Sequence, residues 1–266
     1  MGSRGFGVAG NLDRAIIAEL ASGAEAAGYS TFWANDTPDG DGLEALATAA
    51  RATATIRLGV GVLPVDRLPA ETIVARIRSL DLPESRLTIG IGSGSLRVGA
   101  IGAVAQAAER LRALTSAKIV IGALGPKMCA AAGAHADGVL LNWLTPEFAI
   151  DLRRIAETAA ADKGAAEPWI GAYVRTALPG PGSGRLIEEG TRYASYPQYG
   201  AHFTRMGVQP VETCAMGDGD AIGSRLRAFD AAVDETVVRA VAAAETLNAY
   251  LAVLRAGSPA IGVGGR

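Results

Sequence analysis

Histidine and cysteine are scarce in this chain, which has two of each among 266 residues. Cys129 and Cys214 do not make a disulfide scaffold, and together with His135 and His202 they do not make a zinc cluster. Metal catalysis through soft ligands is therefore nearly excluded, and we expect no metal site.

An excess of one charge and a long apolar run are also lacking. The 25 basic and 27 acidic residues give a formal net charge of −2, which offers no electrostatic case for binding nucleic acid or an anionic membrane. No run approaches the roughly 18–20 apolar residues of a membrane span, and the N-terminus has no charged leader followed by an apolar stretch. We expect a cytoplasmic globular protein.

A short β-branched run, a turn and an Ala- and Leu-rich stretch of helical spacing recur along the chain. The pattern predicts strands at 6–8, 30–34, 56–62, 86–91, 118–122, 138–142, 169–177 and 235–241. It predicts helices at 11–27, 42–53, 70–80, 99–114, 126–135, from Thr145 onward, and at 246–256. Eight strand–helix units predict an α/β fold, the (β/α)8 TIM barrel, as one domain over residues 1–266.

The seventh unit departs from this alternation. Segment 179–184 is rich in proline and glycine and predicts a flexible break, and 186–206 predicts a helical insertion near the barrel mouth. Tyr193, Tyr196, Tyr199 and Phe203 recur there with helical spacing. We expect these rings to fill core against the barrel, and the alternative that one or two of them wall a pocket stays open.

Active sites of such barrels lie at the carboxyl ends of the strands, so we expect the functional residues in the loops that follow the strands. Asn35, Asp36 and Thr37 follow the second strand, where polar side chains suit contact with a substrate or cofactor. A turn leading into Pro38 accounts for them equally well.

Glycines interrupt the third and fourth strands. Gly59 and Gly61 stand inside one strand, where glycine usually marks a bulge or the close approach of another group. Segment 90–95 holds three more glycines, but Ser95 breaks the dinucleotide fingerprint and the P-loop lysine is missing. We interpret these segments as backbone that lets a flat ring or a phosphate come close.

The fifth strand runs through small residues straight into helix 126–135. The free N–H groups and the dipole of a helix N-terminus favour an anion, and Lys127, one of only three lysines, adds a positive charge. A plain turn is the alternative. On the seventh strand, Tyr173 and Arg175 share a face, so Arg175 is a candidate anion contact. Because the chain shows no paired-carboxylate motif and no Ser-His-Asp arrangement, we infer that a cofactor supplies the chemistry.

These segments resemble the luciferase-like oxidoreductase superfamily, most closely the actinobacterial branch that uses the deazaflavin coenzyme F420. Segments 121–128 and 136–143 carry the similarity, and 32–36, 56–63, 86–92 and 193–207 agree in order and spacing. The resemblance implies a (β/α)8 barrel with a flavin or deazaflavin at the carboxyl ends of the strands. It also implies a non-prolyl cis peptide in segment 61–63 that supports the back face of the ring.

The residues that we predict for the site combine this resemblance with the loop positions. Asn35 and Asp36 would act on the ring or the substrate as catalytic residues, and Thr37, Tyr173 and Arg175 would contact the substrate. The cofactor would contact Gly61, Val62, Gly92, Ser93, Gly94, Gly122, Ala123, Leu124, Gly125, Pro126 and Lys127.

Two positions depart from relatives that oxidise a sugar phosphate. Thr37 and Ser95 stand where those relatives carry a histidine and a glutamate, and neither can act as a general base near neutral pH. We therefore predict an F420-dependent oxidoreductase that transfers a hydride between the deazaflavin and a small organic substrate, with reduction of an activated double bond favoured. An FMN-dependent luciferase-like monooxygenase or reductase and a catalytically silent cofactor-binding paralogue are the alternatives, and the resemblance implies a homodimer.

Overall fold

The computed structural model describes residues 2–259, so the two ends of the domain predicted over 1–266 lie outside the described residues. The strands are β1 (Ser3–Ala9), β2 (Thr31–Asn35), β3 (Arg57–Pro64), β4 (Leu87–Gly92), β5 (Lys118–Ala123), β6 (Gly138–Asn142), β7 (Trp169–Ala177), β8 (Ala215–Met216) and β9 (Glu235–Ala240). All of their pairings are parallel. β1 to β7 pair in sequence order, and β9 closes the barrel between β7 and β1. The predicted eight-stranded (β/α)8 barrel is confirmed.

Helices surround the barrel. They are α1 (Arg14–Ala26), α2 (Gly42–Ala52), α3 (Ala70–Ser79), α4 (Ala100–Leu114), α5 (Pro126–His135), α6 (Pro146–Lys163), α7 (Pro181–Ala194), α8 (Pro197–Met206), α9 (Gly219–Asp230) and α10 (Leu247–Ala256). Short 3-10 turns lie at Glu84–Arg86 and Pro210–Thr213. Within the described part of the chain, no helix combines the length and the apolar character needed to cross a bilayer.

Side-chain caps explain where two of the helices begin. The Asp13 carboxylate accepts hydrogen bonds from the backbone N–H groups of Ala15 and Ile16, so α1 begins at Arg14 rather than at residue 11. Thr145 caps α6 ahead of Pro146, as the sequence predicts, and its hydroxyl accepts from the Phe148 N–H at 3.3 Å.

The connection between β7 and β9 is more elaborate than the predicted single insertion. α7 begins at Pro181, inside the segment predicted as a flexible break. A second helix, α8, begins at Pro197, a residue that suits the first turn of a helix because the N–H groups there have no partner within the helix. β8 and α9 also lie in this connection and were not predicted from the sequence. The cap of α9 was a visible signal, since the Asp218 carboxylate accepts from the Ala221 N–H at 3.0 Å.

A pair of tryptophans lies across the middle of the barrel. The rings of Trp33 and Trp169 stack with centroids 6.1 Å apart and planes 16° from parallel. Gly59 and Gly171 leave them room, because a Cβ at either position would overlap an indole ring. Trp33 Nε1 donates to Glu235 Oε1 at 2.7 Å. The pair separates the carboxyl-end part of the interior from the amino-end part.

Candidate functional site

The carboxyl-end layer of the interior is polar. Side chains alternate between the two faces of a strand, so a residue two positions after an inward-facing residue also faces inward. One buried layer of inward-facing aromatic and aliphatic side chains consists of Trp33, Val120, Leu140, Tyr173 and Val237. The next layer therefore consists of Asn35, Gly122, Asn142, Arg175 and Arg239. Three of these were predicted site residues, while Asn142 and Arg239 were missed although the same alternation locates them.

Asn35 is held at both ends of its amide. Its Nδ2 donates to the Gly61 carbonyl at 2.7 Å, and its Oδ1 accepts from Arg239 Nε at 2.8 Å. These two contacts fix which way the amide points. Asn35 therefore connects the ends of β2, β3 and β9 and presents a rigid polar group to the barrel mouth.

Val62 fills the space that the glycines of β4 and β5 leave. The peptide bond between Gly61 and Val62 is cis, as the resemblance implies, and the β3–β4 register shifts between Val60 and Leu63. A Cβ at Gly92 would lie 2.7 Å from Val62 Cγ2, and one at Gly122 would lie 2.8 Å from Val62 Cγ1. Val62 thus occupies the space beside Gly92 and Gly122, and the close approach of a ring or a phosphate to the glycine segments stays a prediction.

Tyr173 lies beneath this layer with a hydroxyl that the protein leaves unpaired. Its buried Oη has no hydrogen-bond partner in the described residues, and a Cβ at Gly61 would lie 2.7 Å from it. Burial raises the pKa of Tyr173, so the phenol stays protonated. A ligand contact through this hydroxyl would have to pass the Gly61 backbone.

Arg175 is engaged inside the protein. Its Nε donates to Glu189 Oε1 at 2.7 Å, one guanidinium nitrogen donates to Asn142 Oδ1 at 2.6 Å, and the guanidinium carbon lies 3.7 Å from the centroid of the Trp143 ring. Both partners of the ion pair are buried, with 6% and 13% of their side chains exposed. Burial alone would raise the pKa of Glu189, but the Arg175 charge holds it below its ordinary value. The guanidinium predicted to contact a substrate anion thus already has a carboxylate partner.

Asp36 and Thr37 lie outside the inner layer. Asp36 Oδ1 accepts from the backbone N–H of Gly42 at the start of α2. Burial raises the pKa of Asp36, and the nearby Asp41 adds to that effect. Both predicted residues line a cleft of about 640 Å³ at the edge of the barrel mouth, and the buried Thr37 Oγ1 has no partner in the described residues. The structure thus separates Asp36 from Asn35, the two residues predicted as catalytic.

The loop after β4 is tied to the loop after β3. The Ser95 hydroxyl and N–H both donate to Asp66 Oδ2, at 2.6 and 2.9 Å, and the hydroxyl lowers the pKa of Asp66. Gly94 has φ +59°, and a Cβ there would overlap the Asp66 carboxylate. Ser93 and Gly94 thus belong to a loop whose shape depends on Asp66, which the sequence analysis did not single out.

Arg205, from the helical insertion, places a second positive charge beside the predicted anion loop at the start of α5. A Cβ at Gly125 would lie 3.0 Å from a guanidinium nitrogen of Arg205, which is exposed and has no carboxylate within salt-bridge distance in residues 2–259. His202, one turn earlier on α8, anchors this helix through Nε2 and the Trp143 carbonyl at 2.7 Å. Burial lowers the pKa of His202, which favours the neutral ring. Arg205 and the exposed Lys127 thus flank the start of α5.

The aromatic residues of the insertion form a core of their own. Tyr193 and Phe203 contact the buried Trp143, with ring centroids 5.1 and 5.8 Å away. Tyr199 packs on Tyr193 at 4.8 Å, and burial raises its pKa to about 12. The core-filling interpretation is confirmed for these three rings, whereas Tyr196 is 44% exposed.

The family comparison agrees with this architecture. Residues 3–116 match the model of the luciferase-like monooxygenase family. Over this segment the resemblance to the luciferase-like family is confirmed.

Solved structures of similar fold include enzymes of both cofactor types. The coenzyme F420-dependent tetrahydromethanopterin reductase of Methanopyrus kandleri has a TM-score of 0.73 at 18% identity, over 97% of this chain and 98% of that one. An F420-dependent secondary alcohol dehydrogenase, in complex with an F420–acetone adduct, has a TM-score of 0.75 at 13% identity, over 98% and 99%. The oxygenating constituent of 3,6-diketocamphane monooxygenase from Pseudomonas putida, in complex with FMN, has a TM-score of 0.68 at 12% identity, over 97% and 98%. At these identities the likeness shows the fold alone.

Proposed function

We propose that this protein is an F420-dependent oxidoreductase that transfers a hydride between the deazaflavin ring and a small organic substrate. The observation that carries the proposal is the position of Gly122, which packs against Val62 and lies one residue before the end of β5, where the loop to the N-terminus of α5 begins. The Val62 support for a flat ring and a site for its phosphate are thus adjacent in the fold.

The phosphate end of the site suits an anionic cofactor. The first turn of α5 offers free N–H groups, and Gly125 brings the backbone close to the Arg205 guanidinium. Lys127 adds a second mobile cation. Pro126 at the first helical position lacks an N–H, so Lys127 and Met128 supply the backbone donors.

The ring end suits a planar group held from one side. Val62 would lie behind the ring, and Asn35, fixed by Gly61 and Arg239, would hold its orientation at the edge. When bound, the deazaflavin supplies the carbon that gives or accepts the hydride. The chain's own part is to position, to exclude water and to provide hydrogen bonds.

The same layer lacks a side chain able to take up a proton near neutral pH. Within residues 2–259 its inward groups are amides, guanidinium ions and the protonated Tyr173 beneath them, and the adjacent Glu189 is paired with Arg175. Oxidation of an alcohol would need such a base. This composition favours reduction of an activated carbon–carbon double bond.

An anaerobic assay with reduced F420 tests this function. The purified protein is mixed with reduced F420 and a panel of α,β-unsaturated carbonyl compounds, and the return of the oxidised deazaflavin absorbance is followed. We expect enzyme-dependent oxidation with at least one acceptor, and a slower rate in the variant Asn35→Leu. Binding of F420 without turnover across the panel would instead support a catalytically silent paralogue.

A further inference from the structure

A second cavity opens at the amino ends of the strands, on the opposite side of the Trp33–Trp169 pair from the candidate site. It has a volume of about 370 Å³, within the range of pockets that hold small molecules. Its wall includes inward residues at the starts of β3, β4, β5, β7 and β9. None of the features of the proposed hydride transfer uses this end of the barrel.

Lys118, at the start of β5, places its ammonium group in this wall without a direct ion pair in residues 2–259. Its Nζ lies 4.9 Å from the centroid of the Trp169 ring, and no carboxylate of residues 2–259 lies within salt-bridge distance of it. Burial, together with the charge of Arg57, lowers the pKa of Lys118, and the carboxylates of Asp137, Glu235 and Asp234 oppose this shift from beyond salt-bridge distance. An ammonium group has three N–H donors, and here the protein supplies an aromatic face but no acceptor.

Thr88 provides a neutral donor beside this ammonium group. Thr88 and Lys118 are direct partners in the β4–β5 register, so both side chains face the cavity from neighbouring strands about 4.8 Å apart. The residue is 7% exposed, and no side chain or carbonyl of the described chain accepts from its hydroxyl. Two unused donors therefore lie next to each other.

The carboxylates of the wall are already satisfied. Glu235 accepts from Trp33 Nε1 at 2.7 Å and from Arg57 at 3.0 Å, Asp137 pairs with Arg112 at 3.2 Å, and Glu84 accepts from the Thr115 and Ser116 hydroxyls. The remaining cation of the wall, Arg86, donates to the Ile56 carbonyl at 3.2 Å. Lys118 is thus the charged group of this cavity that lacks a polar partner in residues 2–259.

We propose that this amino-end cavity binds a small organic carboxylate. One carboxylate oxygen accepts from the Lys118 ammonium group, the other accepts from the Thr88 hydroxyl, and the apolar part of the ligand lies against Trp169 and Leu87. A monoanionic carboxylate fits better than a phosphate dianion because Lys118 offers one positive charge, and the carboxylates of Glu84, Asp137 and Glu235 in the same wall disfavour a second negative charge.

The small number of lysines makes the test direct. With isotope-labelled lysine the chain gives NMR signals from Lys118, Lys127 and Lys163 alone, each assigned by a Lys→Arg variant. Benzoate, acetate, chloride and inorganic phosphate are titrated in turn into the purified protein. We expect a saturable shift of the Lys118 signals with benzoate, a weaker one with acetate, and no saturable shift of Lys163 on the outer end of α6.

Two variants complete the test. Thr88→Val keeps the shape of the side chain but removes the hydroxyl, and we expect benzoate to bind several-fold more weakly, as the loss of one hydrogen bond implies. Lys118→Met should abolish binding while circular dichroism shows a retained fold. The proposal is overturned if Lys118 shifts linearly and in parallel with Lys163, if Thr88→Val binds benzoate as the parent does, or if phosphate shifts Lys118 as strongly as benzoate. Because Lys127 reports on the opposite end of the barrel in the same spectra, failure here is distinguishable from failure of the proposed function.

Discussion

The side chain of Val62 occupies the space above Gly92. A Cβ at Gly92 would lie 2.7 Å from Val62 Cγ2, closer than such atoms pack in proteins. Gly122, on β5, likewise leaves room for the Val62 side chain. The position of Val62 in the barrel mouth therefore depends on two neighbouring strands that carry no side chain at this level.

Gly92→Ala should displace Val62 and weaken cofactor binding. Because Gly92 is buried, the added methyl group should also lower the free energy of unfolding by about 1–3 kcal/mol through overpacking. Urea unfolding and a cofactor titration measure the two effects. Gly102→Ala is the matched control, since a Cβ there meets nothing within 4 Å, and it should stabilise α4 by up to about 1 kcal/mol. Unchanged cofactor affinity in Gly92→Ala would show that the position of Val62 is unimportant for binding.

The sequence predicted which strand residues face the barrel interior, but it did not predict that Val62 fills the space beside Gly92 and Gly122. A strand period of two places Asn35, Arg175 and Arg239 on the inner face from the sequence alone. That Val62 turns inward depends on the local geometry of the Gly61–Val62 segment, which breaks the alternation along β3. A glycine in a sequence indicates space but does not identify the group that fills it.

Arg205→Met should weaken binding of a phosphate-bearing cofactor and leave the stability of the fold unchanged. A charge-assisted hydrogen bond is worth about 1.5–3 kcal/mol, which corresponds to a loss of affinity of about 10- to 100-fold. Fluorescence titration measures the affinity. Arg227→Met, an exposed arginine on α9, should bind as the parent does. Equal affinities in the two variants would remove Arg205 from the anion site.

Of the two cations at the anion site beside α5, Lys127 was predicted from the sequence and Arg205 was not. Lys127 is contiguous with the strand-to-helix turn that predicts an anion site, and its position follows from the chain itself. Arg205 reaches Gly125 from α8, a contact across 80 residues that depends on how the insertion folds back over the barrel. The aromatic spacing of that insertion predicted its core but gave no signal for the guanidinium group.

Glu189→Gln should be strongly destabilising, because it leaves the buried guanidinium of Arg175 without its counter-charge. Removal of one partner from a buried pair costs about 3–5 kcal/mol of the free energy of unfolding. Urea unfolding measures the loss, and Glu188→Gln on the exposed face of α7 should change it by less than about 0.5 kcal/mol. The double variant Arg175→Met/Glu189→Leu should recover part of the loss. If it is less stable than Glu189→Gln, the charge argument fails.

Acid should weaken the junction between α1 and β3 through Glu25. Hydrogen bonds from the backbone N–H groups of Thr55 and Ile56, at 2.6 and 2.8 Å, lower the pKa of Glu25 from 4.5 to about 2. A carboxyl whose pKa is lower in the folded state stabilises the fold above its unfolded pKa, and this stabilisation is lost as the pH falls from about 4.5 to 2.

The variant Glu25→Gln isolates this contribution. Its urea midpoint should lie below that of the parent at neutral pH, and the difference should shrink as the pH falls through this window. Glu19→Gln, exposed on the same helix, should follow the parent at every pH. A constant difference between Glu25→Gln and the parent down to pH 2 would mean that the charge of Glu25 does not contribute.

The central claim concerns the cofactor, and parallel titrations of the purified protein with F420 and with FMN, followed by quenching of cofactor fluorescence, test it most directly. Our account predicts saturable binding of F420, weakened in both Arg205→Met and Gly92→Ala, with much weaker binding of FMN. A clear preference for FMN would contradict it and assign the protein to the flavin-dependent monooxygenases or reductases, and binding of neither cofactor would leave the Val62 support and the anion loop without their proposed ligand.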